Sequence, residues 1–213
     1  MNDAAEQSSF ELWHRLGTAM QGNVASLRAA QLARGLGVET SELDRVMLEH
    51  RHKPFAHEVA ELRVRAALDG LIENHSSVAQ TAAAQGFASC SALNRALLGY
   101  CGLDASNLKA LVGCAQFVLT LPPRYRVAET LAYLARDPRS HNVKRRSPDS
   151  VTLALVMRDV AFSATVTFGE RSVAVELDTI LDNTTAGPCV SIFRRLLGFA
   201  APTDALLRRA RTE

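Results

Sequence analysis

The sequence predicts an α+β chain of two domains, an all-α half followed by a small α/β half, on three observations. Up to about residue 112, apolar residues recur at helical spacing and glycines follow the runs, as in Leu32, Ala33 and Leu36 before Gly37, or Val78, Thr81, Ala82 and Gln85 before Gly86. Beyond Gln116 the period shortens to alternation, clearest in Phe162, Ala164, Val166 and Phe168. The third observation is a degenerate internal repeat: Ala33, Gly37 and Leu43 keep the spacing of Ala82, Gly86 and Leu93, with one residue fewer in the turn. These place a disordered tail at 1–9, a helical module at 10–112 and an α/β domain at 113–213.

In order, Phe10, Trp13, Leu16 and Met20 share one face of a first helix, with Trp13 a core anchor. A second helix runs from Ser26, its expected cap, to Leu36. A third, Thr40 to His50, buries Leu43, Val46 and Met47 and turns Ser41, Glu42, Asp44 and Arg45 outward. Pro54 suits the first turn of a long helix with Val59, Leu62, Arg63, Ala66, Ala67 and Leu71 on its inner side. After Gly86, Ser89 or Ser91 caps a helix with Leu93, Ala96 and Leu97 inward and Ser91, Asn94 and Arg95 outward. Small Ala82 lets two helices cross closely, as a helix-turn-helix requires when it offers its second helix to a DNA major groove.

In the second half, Gln116 to Leu121 reads as a strand stopped by Pro122 and Pro123, and Val127 to Ala135 as a helix. The basic stretch Asp137 to Asp149, with Arg139, Lys144, Arg145 and Arg146, reads as a solvated connection or hairpin, with DNA contact the sharper alternative. Three strands follow at Val151 to Arg158, Val160 to Phe168 and Ser172 to Leu177. A helix then spans Gly187 to Leu197, and a short arginine-rich helix follows Pro202.

The chain has 213 residues, 47% of them hydrophobic, enough for one or two cores. No apolar run approaches the roughly 20 residues of a membrane span, and MNDAAEQSSF has no export pattern, so a cytoplasmic location is expected. Cys90, Cys101, Cys114 and Cys189 form no CxxC pair and read as reduced structural thiols. His50, His52 and His57 lie close together without a fourth ligand at useful spacing, so no metal is expected. Residues 1–112 carry 10 Lys or Arg against 12 Asp or Glu, a balance of −2, whereas residues 113–213 carry 14 against 10, or +4.

Two family resemblances follow. Val78, Ala82, Gly86, Phe87, Ser91, Leu93 and Arg95, with Gly102, Leu108 and Lys109, resemble the second helix-turn-helix of AraC/XylS-type transcription regulators. HKPFAHEVAELRVRAALDGLIENHSS is similar to the linker helix that joins the two motifs of that family. The resemblance implies double-stranded DNA as partner, with Ser41, Asp44 and Arg45 facing bases from the first motif and Cys90, Ser91, Asn94 and Arg95 from the second. The sequence departs from the pattern at Leu98 and Gly99, which replace basic residues, at Ala105, which replaces a proline, and at Glu42 and Asp44, which oppose phosphate. Binding is therefore expected to be weak or salt-sensitive.

Residues 115–213 resemble the amino-terminal domain of the 3-methyladenine DNA glycosylase II family, through FVLTLPPRYRVAETLAYLARDP and CVSIFRRLLGFAAPTDAL with its Arg194 and Arg195. That resemblance implies an antiparallel sheet with two main helices, TBP-like. The family's catalytic helix-hairpin-helix domain has no counterpart, and no GxSxG, phosphate loop or HExxH is present, so neither catalysis nor a cofactor is expected. The combined expectation is a DNA-binding transcription regulator linked to alkylation damage or DNA repair. The alternative is a non-catalytic partner of a repair protein, or a truncated fragment of a DNA-3-methyladenine glycosylase.

Overall fold

The computed structural model describes residues 3–22 and 24–199, with side chains from residue 9 onward. The arginine-rich helix expected after Pro202 lies outside the described residues. The helical half runs α1 (Asp3–Met20), a 3-10 turn (Val24–Ser26), α2 (Ala29–Leu36), α3 (Thr40–Arg51), α4 (Phe55–Ile72), α5 (Val78–Ala84), α6 (Cys90–Cys101) and α7 (Ala105–Ala110).

Helix α1 starts at Asp3 and takes in residues 3–9, which the sequence assigned to a tail. Ser9 helps fix it, its Oγ donating to Glu49 Oε2 at 2.8 Å across to α3. Trp13 of α1 stacks on His50 of α3, ring centroids 4.8 Å apart, as an anchor rather than an exposed platform. Ser26 does not cap α2: it lies in the 3-10 turn, and Arg28 occupies the cap position without a side-chain bond. Pro54 likewise sits one position before the first turn of α4, as its N-cap. Gly37 at φ 71° ends α2, with Val38 N donating back to Ala33 O.

In the second motif Ser77 and Gln80 form a reciprocal capping box at the start of α5. Of the two candidate serines at α6, Ser89 is the cap, its Oγ accepting from Ala92 N at 3.1 Å. One contact recurs in both motifs, although their N-caps differ. Asp44 Oδ1 accepts from Phe55 N at 2.9 Å, and Asn94 Oδ1 accepts from Ala105 N at 3.0 Å, both across eleven residues. The helices holding them end on left-handed residues His52 (φ 57°) and Gly102 (φ 77°). Each motif thus uses one side chain of its second helix to start the next helix, at positions fifty apart.

The second half comprises β1 (Gln116–Thr120), α8 (Val127–Leu134), β2 (Val143–Ser147), β3 (Ser150–Met157), β4 (Val160–Phe168), β5 (Ser172–Leu177) and α9 (Ala186–Leu196). All neighbouring strands are antiparallel, in the order β1-β5-β4-β3-β2. The fifth strand, β2, lies within the basic stretch and pairs with β3 as a hairpin. Lys144, Arg145 and Arg146 suit an edge strand, where charge discourages pairing with another chain. One sheet face buries Leu119, Val151, Leu153, Ala164, Val166, Val173 and Val175 in the same core as Cys189, Val190 and Phe193 of α9. Phe193 meets Phe117 edge to face at 5.7 Å. Burial raises the thiols of Cys101 and Cys189 to about 11 and about 12, which suits inert packing groups.

Asp182 organises the entry to α9: its Oδ1 accepts from the backbone N of Thr184 and Thr185 and from both hydroxyls. The Thr185 hydroxyl is the largest of these influences, and together they lower the carboxyl from 3.8 to about 2. A depressed folded value means that its contribution is complete above about 4 and is lost as pH falls through about 2. Asp182→Ala should therefore destabilise the chain at neutral pH and flatten the acid limb of a stability-against-pH curve measured by urea titration. An unchanged acid limb would remove Asp182 as its source.

Two cores divide the helical half. Leu12, Leu16, Ala33, Leu43, Val46, Met47, Phe55 and Val59 form one around the first motif. The second motif belongs to the other, where Val64, Ala67, Leu71, Leu93, Leu97 and Leu108 are continuous with the sheet. The seam crosses α4 between Val59 and Val64. Polar groups strengthen the junction with the sheet half. Arg194 of α9 pairs with Glu61 of α4, and its guanidinium lies 3.9 Å from the centre of the Tyr100 ring on α6. Glu61 also holds Lys53 at 2.5 Å. Thr120 N donates to Gly102 O at 2.8 Å, tying β1 to the end of α6.

Candidate nucleic-acid interface

The packing of α3 and α6 decides which side chains each can offer to a ligand. In α6, Leu93, Leu97 and Cys101 are buried, which leaves Cys90, Ser91 and Arg95 exposed on the other side, with Asn94 and Leu98 half-buried. In α3, Leu43, Val46 and Met47 are buried, and Ser41, Asp44 and Arg45 are exposed. Arg63 on α4 supports the first motif, donating to the carbonyls of Val24, Ala25 and Leu27.

The two arginines singled out by sequence differ. Arg95 makes no ion pair or hydrogen bond among the described residues. Arg45 is clamped by its own helix, through Nη2 to Glu42 Oε1 at 2.7 Å, Nε to Glu42 Oε2 at 3.1 Å and Nη1 to Glu49 Oε2 at 3.2 Å. The bond between them lowers the Glu42 carboxyl and raises the Arg45 guanidinium from their ordinary values. Asp44 and Asn94, grouped by sequence with the base-facing residues, each commit an oxygen to a helix start. The clamp was legible as carboxylates three residues before and four after Arg45. The caps were not, because they join residues on different helices.

A family model described as a helix-turn-helix domain matches residues 32–110. The match makes that segment similar to a helix-turn-helix domain. It spans α2 to α7, so α3 and α6 are the second helices of its two motifs and α4 the connection between them. Among solved structures, the chain is similar to a transcriptional regulator from Chromobacterium violaceum described with AraC-type DNA-binding domain-containing proteins, at 20% identity and a TM-score of 0.44, over 50% of this chain and 94% of that one. It is also similar to a DNA-binding transcriptional dual regulator from Escherichia coli K-12, at 21% identity and a TM-score of 0.41, over 46% of this chain and 95% of that one. A third is the C-terminal domain of AraT, a response regulator from Geobacillus stearothermophilus, at 15% identity and a TM-score of 0.42, over 46% and 83%. No curated protein matches.

A helix-turn-helix domain is built to hold its second helix against duplex DNA by the back of that helix. Here Leu93 and Leu97 are that back for α6. Among the described residues, no group of three or more His, Cys, Asp or Glu could hold a metal ion. None of the described helices is long and apolar enough to cross a membrane.

Proposed function

We propose that this protein is a DNA-binding transcription regulator that contacts duplex DNA through its helix-turn-helix domain, with Arg95 as the principal base-reading side chain. The observation that carries this reading is an unpaired, exposed arginine on the solvent side of a helix whose other side is locked into the core. An arginine so placed reads guanine through two hydrogen bonds in the major groove. Cys90 and Ser91 flank it at the start of α6, and Ser41 and Arg45 occupy the corresponding stretch of the first motif. Asp44 and Asn94 serve chiefly to start α4 and α7.

Arg95→Ala should weaken binding to a selected duplex by about 1 to 3 kcal/mol in fluorescence anisotropy, with unchanged thermal stability. Equal affinity of the variant and the parent would remove α6 as the reader. The parent's affinity should also fall with added salt, because phosphate contacts displace counterions. A finer assignment, to genes answering alkylation damage, rests on the resemblance of residues 115–213 to the glycosylase leader domain. It predicts that promoters recovered with the protein change in activity after exposure to a methylating agent.

A further inference from the structure

We infer that the two motifs are unequal readers: α6 recognises DNA, while α3 is silenced by its own carboxylates, so recognition is confined to a single major-groove segment. This rests on the proposed DNA-binding role and adds to it which half of the domain makes the sequence-specific contact.

The matching caps at Asp44 and Asn94, and the matching left-handed ends at His52 and Gly102, set the two second helices in register at an offset of fifty residues. In that register Arg45 corresponds to Arg95. Three carboxylates of α3 then stand opposite neutral residues of α6: Glu42 corresponds to Ala92, Asp44 to Asn94 and Glu49 to Gly99. Glu42 and Glu49 are the residues that hold Arg45. Asp44 makes a cap that an asparagine makes equally well in the second motif. Glu42 and Asp44 are therefore not needed as carboxylates to build the motif, and at Glu49 an uncharged amide oxygen would still accept from Ser9 of α1.

Their effect on DNA is twofold. To read a base, Arg45 must give up a two-pronged bond to Glu42 and a further bond to Glu49, whereas Arg95 gives up none. The group formed by Glu42, Asp44, Arg45 and Glu49 also brings a net charge of −2 toward phosphate, while Ala92, Asn94, Arg95 and Gly99 bring +1. Surface ion pairs are individually weak, but the repulsion persists whether or not the clamp opens.

The test uses the full chain and duplexes enriched by it from a random-sequence library. The parent should enrich a single contiguous block, and Arg45→Ala should change its affinity less than twofold. The triple variant Glu42→Ala, Asp44→Asn, Glu49→Gln keeps the cap and an acceptor for Ser9, and removes the charges that hold Arg45. It should enrich a second block about 10 base pairs from the first. It should also bind roughly tenfold more tightly, with a steeper dependence on salt. Two blocks already enriched by the parent, loss of affinity in Arg45→Ala equal to that in Arg95→Ala, or a triple variant indistinguishable from the parent would each overturn the inference while leaving the DNA-binding role intact. If neither parent nor triple variant enriches any duplex, the DNA-binding role fails and the inference with it.

Discussion

Gly102→Ala is expected to destabilise the protein by about 3 kcal/mol, through two independent effects at one position. Gly102 ends α6 at φ 77°, a conformation that costs a residue with a side chain about 1 to 2 kcal/mol. A Cβ there would also stand 2.7 Å from Thr120 O, 2.9 Å from Phe199 Cζ and 3.2 Å from Leu119 Cβ, and crowding of that kind costs typically 1 to 3 kcal/mol. Backbone cannot swing aside as a side chain tip can, so β1 must separate from α6. Gly37→Ala provides the comparison: φ is 71° but nothing lies within 4 Å, so the dihedral cost alone, about 1 kcal/mol, should appear. Urea unfolding of the two variants separates the effects. Equal losses would mean that the contact with Thr120 is not a constraint.

Arg194→Ala should cost about 3 kcal/mol, the lower end of the range for breaking a buried pair, because Glu61 keeps Lys53. Only 13% of the Arg194 side chain is exposed, and its place over Tyr100 adds a cation–π contact to the ion pair. Burial acts to raise the Glu61 carboxyl, but Lys53 and Arg194 outweigh it and hold it below 4.5. Its contribution is accordingly full at neutral pH and lost on acidification below the ordinary carboxylate range. In a double-mutant cycle with Glu61→Gln, the coupling should shrink as pH falls. A coupling near zero at neutral pH would make the junction one of apolar packing alone.

Much of the fold could be read from the chain because its signals are local. Gly86 and Gly37 end helices by a backbone conformation that glycine adopts freely, and the alternation from Phe162 to Phe168 follows from one buried sheet face. β2 had no such signal. Its run Val143-Lys144-Arg145-Arg146-Ser147 lacks apolar alternation because an edge strand needs little burial. Ser26 failed as a cap because the chain tightens into a 3-10 turn before α2 begins. In the candidate interface, exposure of Arg45 and Arg95 followed from the positions of Leu43 and Leu93 on the same helices. The roles of Asp44, Asn94 and Arg194 depend on partners eleven to 133 residues away, and helical spacing carries no information about those distances.

The seam across α4 has a consequence for how the chain comes apart. The eight side chains around the first motif form a reservoir separate from the one that the sheet shares with the second motif. Heating or denaturant would thus melt the segment before residue 60 in its own step, while α6 stays propped by α9. Severing the chain near residue 112, by contrast, would strip Leu93, Leu97 and Leu108 of the strands that shelter them and leave a sticky, aggregation-prone remnant.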